Sequence, residues 1–120
     1  MRTTLLDLLK KRSRPLAKGE AALTEAEADA MLPLLSGWHR TGMEIHKTFS
    51  FPDFHHTMAF VNAVAFVAHQ EDHHPDLDVS YNRVRVRFST HSVGGLSEND
   101  FICAAKVETL LRPPWTEHGG

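Results

Sequence analysis

The stretch from Asp72 to His91 reads DHHPDLDVSYNRVRVRFSTH, and its second half decides the fold. Apolar and polar residues alternate on both sides of a turn signal at Asn82, which is the period-two pattern of a β-hairpin with one buried face. The polar residues that alternate with the apolar ones in the second strand are Arg83, Arg85 and Arg87. We interpret them as a solvated face of the sheet, with an anion-binding surface as the alternative. The apolar series consists of Leu77, Val79, Tyr81, Val84, Val86 and Phe88.

A long helix is predicted before this hairpin. Pro52 and Asp53 form an N-terminal signal, and apolar residues then recur at helical spacing to about Glu71. The helix cannot continue through Pro75, because the residue before a proline is driven out of helical geometry. The broad apolar face predicts that this helix lies across a sheet. One apolar stripe consists of Phe54, Met58, Val61, Ala65 and Ala68, and a neighbouring stripe consists of Phe60, Val64 and Val67.

A shorter helix is predicted near the start of the domain. Thr24 and Glu27 have the spacing of a capping box, in which each side chain accepts a hydrogen bond from the backbone of the other. This places the first helical residue at about Glu25. Pro33 is expected to bend or weaken the last turn, and Gly37 is expected to end the helix.

The remaining elements are a second hairpin and a last helix. Residues 38–51 contain alternating apolar positions around Gly42, which predicts a β-hairpin with its turn there. Ser97 and Asp100 form another capping signal, so a helix is predicted from about Glu98 to Leu111, before Pro113 and Pro114.

The order of elements is therefore helix, two strands, helix, two strands, helix. Hairpins favour antiparallel pairing, and helices with a single apolar face favour stacking on one side of a sheet. We predict an α+β, two-layer fold: a four-stranded antiparallel sheet with three helices on one face. The domain spans residues 23–112. Residues 1–22 form a basic extension, expected to be frayed or loosely docked, and residues 113–120 form a tail.

Composition limits the class of protein. With 120 residues, 42% hydrophobic and 23% charged, the chain fits one domain, and its net charge of −2 gives no bias toward nucleic acid or anionic membrane. No apolar run approaches the roughly 18 to 20 residues of a bilayer span. The single cysteine, Cys103, is interpreted as a small buried residue. We therefore expect a cytoplasmic protein.

Three histidines are the candidate functional residues. His73 and His74 leave the end of the long helix, and His91 follows the second strand of the quoted hairpin. Hairpin pairing returns Thr90 and His91 beside the strand start near Asp76, so we expect the three imidazoles to converge. Imidazole titrates near pH ~6.5, and converging histidines can therefore donate and accept protons at neutral pH. The other histidines are expected to be solvated: His39, His46, His55, His56 and His118.

A metal site is the chemical alternative. His69 and His73 are four residues apart, so on a continuous helix they would share a face, and His91 could be a third zinc ligand. Two features disfavour this: the glutamate of the segment HQEDH lies one position late for the metalloprotease motif, and the following proline indicates that the helix is already ending. A nucleophilic site is weaker still, because no serine has a nucleophile-elbow setting and Cys103 is interpreted as buried.

The same residues resemble the signature of the pterin-4a-carbinolamine dehydratases. The similarity extends from Leu23 to Leu111, including Gly37 and Trp38, and it keeps the spacing from the histidine pair to Tyr81 and on to His91. The matching positions are Asp72, His73, His74, Pro75, Tyr81, Asn82, Val84, Ser89, Thr90, His91, Gly95, Leu96, Ser97 and Asp100.

This resemblance implies an activity. It implies dehydration of 4a-hydroxytetrahydrobiopterin, or a related pterin, to the quinonoid dihydropterin in tetrahydrobiopterin recycling, without metal or organic cofactor. By the resemblance, His73 and His91 are acid/base groups for the leaving hydroxyl, and His74 binds and helps deprotonate the pterin. The expected substrate-binding residues are Asp72, Pro75, Thr90 and Asp100.

The resemblance also implies partners. The family pairs sheet edges to build dimers or dimers of dimers, so a homodimer or homotetramer is expected. It also resembles a dimerisation cofactor that binds a homeodomain transcription factor, which leaves a protein-binding module as an alternative function. The identity of the physiological pterin stays open.

Overall fold

The computed structural model describes residues 3–111, and its centre is one four-stranded antiparallel sheet. The strands are β1 (His39–Thr41), β2 (Glu44–Ser50), β3 (Asp76–Val79) and β4 (Arg83–Phe88), in the spatial order β1-β2-β4-β3. Both predicted hairpins are present, and β4 lies between β2 and β3. The α+β prediction is confirmed.

The helices begin where the capping signals indicate. They are α1 (Leu5–Lys10), α2 (Glu25–Met31), α3 (Phe54–Glu71) and α4 (Glu98–Thr109). Thr24 and Glu27 make the reciprocal capping bonds before α2, and Asp53 accepts from the His56 amide before α3. The backbone tightens into a 3₁₀ turn at Leu32–Leu34, because Pro33 cannot donate the amide bond of a continuing helix. The predicted stop at Pro113 lies outside the described residues.

The described part of the N-terminal extension is docked, so the expectation of a frayed segment is wrong. Leu8 is 0% exposed and belongs to the main core, and α1 packs against α4. The backbone that follows is bonded to side chains of α3 and α4 through Ser13 and Arg14. Burial of Leu8 and these bonds offset the entropy cost of ordering a terminal segment. The division at residue 23 stays a prediction.

The apolar face of α3 is narrower than the sequence suggests. Phe60, Val64 and Val67 are buried, whereas Phe54, from the other stripe, is 49% exposed and stacks on Tyr81. The second stripe is covered only in part: Ala68 is buried and Val61 is half-buried against the core, whereas Phe54 and Ala65 are exposed.

The strand β3 also departs from the prediction of one buried face. Val79 is 43% exposed and Tyr81 is 63% exposed, and Leu77 is only half-buried. This strand is an edge strand, and the helical layer covers the central strands β2 and β4 more fully. In β4, by contrast, Val84, Val86 and Phe88 are all buried as predicted.

The opposite face of the sheet is polar. Arg83 and Arg85 are exposed, and Arg87 forms ion pairs with Asp78 and Glu44. This exposure and pairing agree with the interpretation of a solvated face.

Cys103 is 0% exposed in α4, as expected, and burial raises the pKa of its thiol to about 12. No helix between residues 3 and 111 has both the length and the apolar character of a bilayer span.

Candidate active site

The end of α3 presents the histidine pair. Asp72 closes the helix in the left-handed conformation with φ 50°, the single non-glycine positive φ among residues 3–111. The His73 amide then bonds the carbonyl of Ala68 at 3.1 Å, which turns the chain sharply out of the helix. Pro75 favours an extended conformation at the preceding residue, His74, and β3 begins directly after the proline at Asp76.

His73 points inward and is held on two sides. Its Nε2 lies 2.6 Å from Oδ1 of Asp100, and its ring stacks on Phe88 with an interplanar angle of 7° and a centroid separation of 5.9 Å. The side chain of His73 is 12% exposed, whereas that of Asp100 is 0% exposed. The imidazole is therefore fixed by a buried carboxylate at one edge and by an aromatic ring on one face.

Asp100 acts as a hydrogen-bond acceptor at both oxygens. Its Oδ2 accepts from the Ser97 amide at 2.9 Å and from Oγ1 of Thr90 at 2.8 Å. The amide can only donate, and Thr90 in turn can accept from the Ser97 hydroxyl at 2.7 Å. Because the ionised Asp100 carboxylate only accepts, the tautomer that fits this bond carries its proton on Nε2 of His73 and keeps a lone pair on Nδ1.

The loop that carries His91 is closed by Thr90. Thr90 and Gly95 pair their backbones, with the Thr90 amide donating to the Gly95 carbonyl at 2.7 Å. The enclosed residues form a 3₁₀ turn, His91–Val93, which ends at Gly94 with φ 65°. His91 is thus presented on the exposed side of a short loop whose base is tied to Asp100.

The structure brings together part of the predicted site. It joins His73, Thr90 and Asp100 directly, and His91 follows Thr90 in the chain. His74 is exposed beside His73, Asp72 is exposed, and Pro75 is half-buried. The convergence of all three imidazoles stays a prediction.

Two residues of this arrangement were missed as site residues. Phe88 was assigned only to the core, and Ser97 only to the helix cap and to the positions of the family resemblance. The alternation of β4 indicates that Phe88 faces inward, but its contact with His73 joins positions that no local pattern relates. Ser97 was visible as part of the capping signal, which here serves Thr90 as well.

The other histidines lie elsewhere. His69 is exposed in the last turn of α3, whereas His73 lies beyond the helix end, so the two do not share a helical face. Within residues 3–111, no group of three His, Cys, Asp or Glu side chains is placed to hold a metal ion. His46 was expected to be solvated but is half-buried beside Thr41; burial, and then the charge of Arg85, lower its pKa. His118 lies outside the described residues.

Comparison with known proteins identifies the family. Residues 21–110 match the family model described as "Pterin 4 alpha carbinolamine dehydratase". The chain belongs to this family. Membership makes the chain a dehydratase, that is, a carbon–oxygen lyase.

Bacterial relatives of this dehydratase match over nearly their full length. The Nitrosospira multiformis protein is 49% identical over 112 residues, which cover 93% of this chain and 99% of the relative. The Nitrosomonas eutropha protein is 53% identical over 110 residues, which cover 91% and 97%. Both carry the name "Putative pterin-4-alpha-carbinolamine dehydratase".

A solved structure of the family has the same fold. The protein from Brucella melitensis, described as a transcriptional coactivator/pterin dehydratase, is 35% identical and aligns with a TM-score of 0.72. The alignment covers 76% of this chain and 99% of that one.

Proposed function

We propose that this dehydratase removes water from 4a-hydroxytetrahydrobiopterin, or a related 4a-hydroxytetrahydropterin, and releases the quinonoid dihydropterin as part of tetrahydrobiopterin recycling. The observation that carries the proposal is the pairing of His73 with the buried carboxylate of Asp100 at 2.6 Å. A histidine held in one orientation by a buried acceptor is suited to proton transfer near neutral pH.

The reaction requires one acid and one base. The bond between C4a and the hydroxyl oxygen breaks, and the oxygen leaves as water after it takes a proton. N5 loses its proton, and the electron pair of that N–H bond forms the C4a=N5 double bond. Neither oxidant nor reductant takes part, and we propose that the electron pair on the substrate's own N5 drives the elimination without a metal or organic cofactor.

We assign the acid and base roles to the three histidines. His73 and His91 serve the leaving hydroxyl, and His74 binds the pterin and helps to deprotonate it. When Nε2 of His73 donates to Asp100, the lone pair on Nδ1 is the atom that would accept the proton. His74 and His91 are both exposed, which leaves their rings accessible to a substrate from solution.

The four remaining site residues divide by burial. Asp72 is exposed and Pro75 is half-buried, so both are available for contact with the pterin. Thr90 and Asp100 are 6% and 0% exposed, and their polar atoms already bind each other and His73. We therefore propose that Thr90 and Asp100 position the catalytic imidazole.

The cellular setting follows from the same family reasoning. We propose that the protein is cytoplasmic. We also propose that it forms a homodimer or homotetramer, because β1 and β3 leave the sheet with two edge strands that can pair with another copy. Light scattering on the purified protein measures the oligomeric state directly; a monomer at micromolar concentration would contradict this part of the proposal.

A dehydration assay with freshly generated 4a-hydroxytetrahydropterin tests the activity, run with and without chelator. Activity should survive chelation and fall by at least about 100-fold in His74→Ala and His91→Ala, since general acid–base catalysis contributes about 10² to 10⁴ in rate. His55→Ala is the matched control, because His55 is an exposed histidine at the other end of α3. Full activity in both site variants would exclude the assignment, and sensitivity to chelator would support the metal alternative.

A second function is suggested by the Brucella melitensis relative, which is described as a coactivator as well as a dehydratase. If this chain binds a transcription factor, a variant that lacks His73, His74 and His91 should retain that binding while it loses dehydration. Loss of both together would indicate that one surface serves both functions.

A further inference from the structure

A short basic segment, residues 11–14, crosses the ends of the two helices that supply the site; we name it the strap. At the end of α3, the Ser13 amide donates to Oε1 of Glu71 at 2.8 Å. Arg12 donates to the carbonyl of Gln70 at 3.0 Å and pairs with Oε2 of Glu71 at 3.0 Å. The side chain of Glu71 is 0% exposed, so these bonds form in a setting where an unmade bond is costly.

The strap also forms hydrogen bonds with the start of α4. Nδ2 of Asn99 donates to the carbonyl of Arg14 at 2.7 Å, and the Arg14 amide donates to Oδ1 of Asn99 at 3.1 Å. Asn99 is 5% exposed, and its side-chain amide binds the backbone of the strap with one donor and one acceptor. Lys11 adds an ion pair with Glu98 at 2.7 Å.

These contacts are made by residues that lie next to His73 and Asp100 in the chain. Glu71 is two residues before His73, and Asn99 is one residue before Asp100. Lys106 also joins Glu71 to α4, at 3.1 Å. The strap and this ion pair therefore tie the last turn of α3 to α4 at the place where the two helices deliver His73 and Asp100.

The chain on both sides of the strap is anchored to the folded core. On one side α1 is anchored by the fully buried Leu8, and on the other side the Leu23 amide donates to the Leu96 carbonyl at 2.8 Å. Both anchors belong to the folded core, so the strap spans two fixed points.

We propose that the strap is a positioning element for catalysis: its bonds to Asn99 and Glu71 hold the two helix ends at the spacing that the His73–Asp100 hydrogen bond needs. The inference rests on the proposed function, because it assigns the benefit to proton transfer by His73. It gives a catalytic task to residues 11–14, which lie before the part of the chain that matches the family model.

Asn99→Ala tests the strap at α4. Small displacements of a catalytic group cost large factors in rate, so we expect kcat to fall about tenfold while KM changes by less than about twofold. The imidazole ¹⁵N resonances of His73 should shift, since they report the bond to Asp100 without any need for turnover. Lys47→Met is the matched control, because it removes a side-chain bond to α4 at the opposite end, the 2.6 Å bond from Lys47 to Glu108. Equal effects on His73 in both variants would overturn the proposal.

Arg12→Ala tests the strap at α3 with little risk to folding, because the Arg12 side chain is 65% exposed. It should shift the His73 resonances in the same direction and lower kcat about threefold, to a smaller extent than Asn99→Ala. Lys18→Ala removes the same charge from an exposed position of the N-terminal extension outside the strap and should change neither the His73 resonances nor kcat. Unchanged His73 resonances in both Arg12→Ala and Asn99→Ala would refute the strap inference. Full activity in His73→Ala would instead refute the proposed function, so the two failures are distinguishable.

Discussion

His73 and Asp100 are 27 positions apart in the chain, yet Nε2 of the one lies 2.6 Å from Oδ1 of the other. The bond joins the exit of α3 to the first turn of α4, and Asp100 is also the residue that caps α4 by accepting from the Ser97 amide. One carboxylate thus caps the start of a helix and orients an imidazole. Because Asp100 contributes to both the helix cap and the orientation of His73, substitutions near it should change both the stability and the activity of the protein.

Asp100→Asn should separate the charge from the shape. The amide nitrogen of asparagine has to face either the Ser97 amide, which is itself a donor, or His73, where it reverses the direction of the shared bond. We expect kcat to fall about 100-fold and the free energy of unfolding to fall by about 1–3 kcal/mol. Steady-state assays and urea titration measure the two quantities.

The combination with His73→Ala provides the control. If Asp100 acts through His73, adding Asp100→Asn to His73→Ala should lower kcat by less than about twofold further, since residues that act as a unit are not additive. Multiplicative losses would show that Asp100 acts on the substrate independently.

The stability of variants at Asp72 should depend on how well the new residue tolerates a left-handed backbone conformation. Its φ of 50° lies in the left-handed region that glycine adopts freely, that Asp tolerates and that alanine resists. Asp72→Gly should therefore be more stable than Asp72→Ala by about 1 kcal/mol. Thermal or urea unfolding of the two variants gives the difference; alanine as the more stable of the two would contradict the conformation of this helix end.

Glu71 should make stability depend on pH. Burial acts to raise the pKa of this carboxyl, but hydrogen bonds from the Ser13 amide and Lys106, with the charges of Lys106 and Arg12, outweigh burial and lower the pKa below 4.5. A depressed native pKa stabilises the fold fully above the unfolded pKa, and the stabilisation is lost as the pH falls through the native pKa. Glu71→Gln should thus cost about 1–3 kcal/mol at pH 7 and progressively less below pH 4.5.

Urea titrations at pH 7 and at pH 4 or below measure this trend. Glu108→Gln is a suitable comparison, because Glu108 also pairs with a lysine, Lys47, but is not in contact with the strap in the part of the chain that the structure describes. A stability difference for Glu71→Gln that stays constant with pH would contradict the role of its charge.

Cys103 should be unreactive in the folded protein. Its side chain is fully buried, and its pKa is raised to about 12, so the thiolate needed for attack on a disulfide reagent is scarce at pH 8. Labelling should be at least about 100-fold slower in buffer than in denaturant, since reaction then requires opening of α4. Fast labelling of the native protein would show that α4 opens far more readily than its packing indicates.

The elements of the fold were predictable because each has a local signal. The capping residues Thr24 and Ser97 locate two helix starts, and alternation around Asn82 locates the β3–β4 hairpin. These patterns depend on neighbours within a few positions. The docking of Leu8 was not predictable in this way, because α4, against which α1 packs, lies far along the chain.

The distribution of exposure was only partly predictable. Alternation correctly indicates which side of β4 is buried, but it does not show how far the helical layer extends. Val79 and the following Tyr81 are exposed because β3 lies at the sheet edge, and Phe54, at the start of α3, is exposed although Ala68 of the same stripe is buried.

The sequence by itself determined the hairpins, the helix ends and the candidate histidines, because short-range periodicity, capping and proline geometry are written in adjacent residues. Only the tertiary structure decided that His73 is bonded to Asp100 and stacked on Phe88, and that residues 11–14 bridge the helix ends beside them. The physical reason is that orientation of a side chain within an ångström depends on packing between elements. No local pattern in the chain specifies such packing.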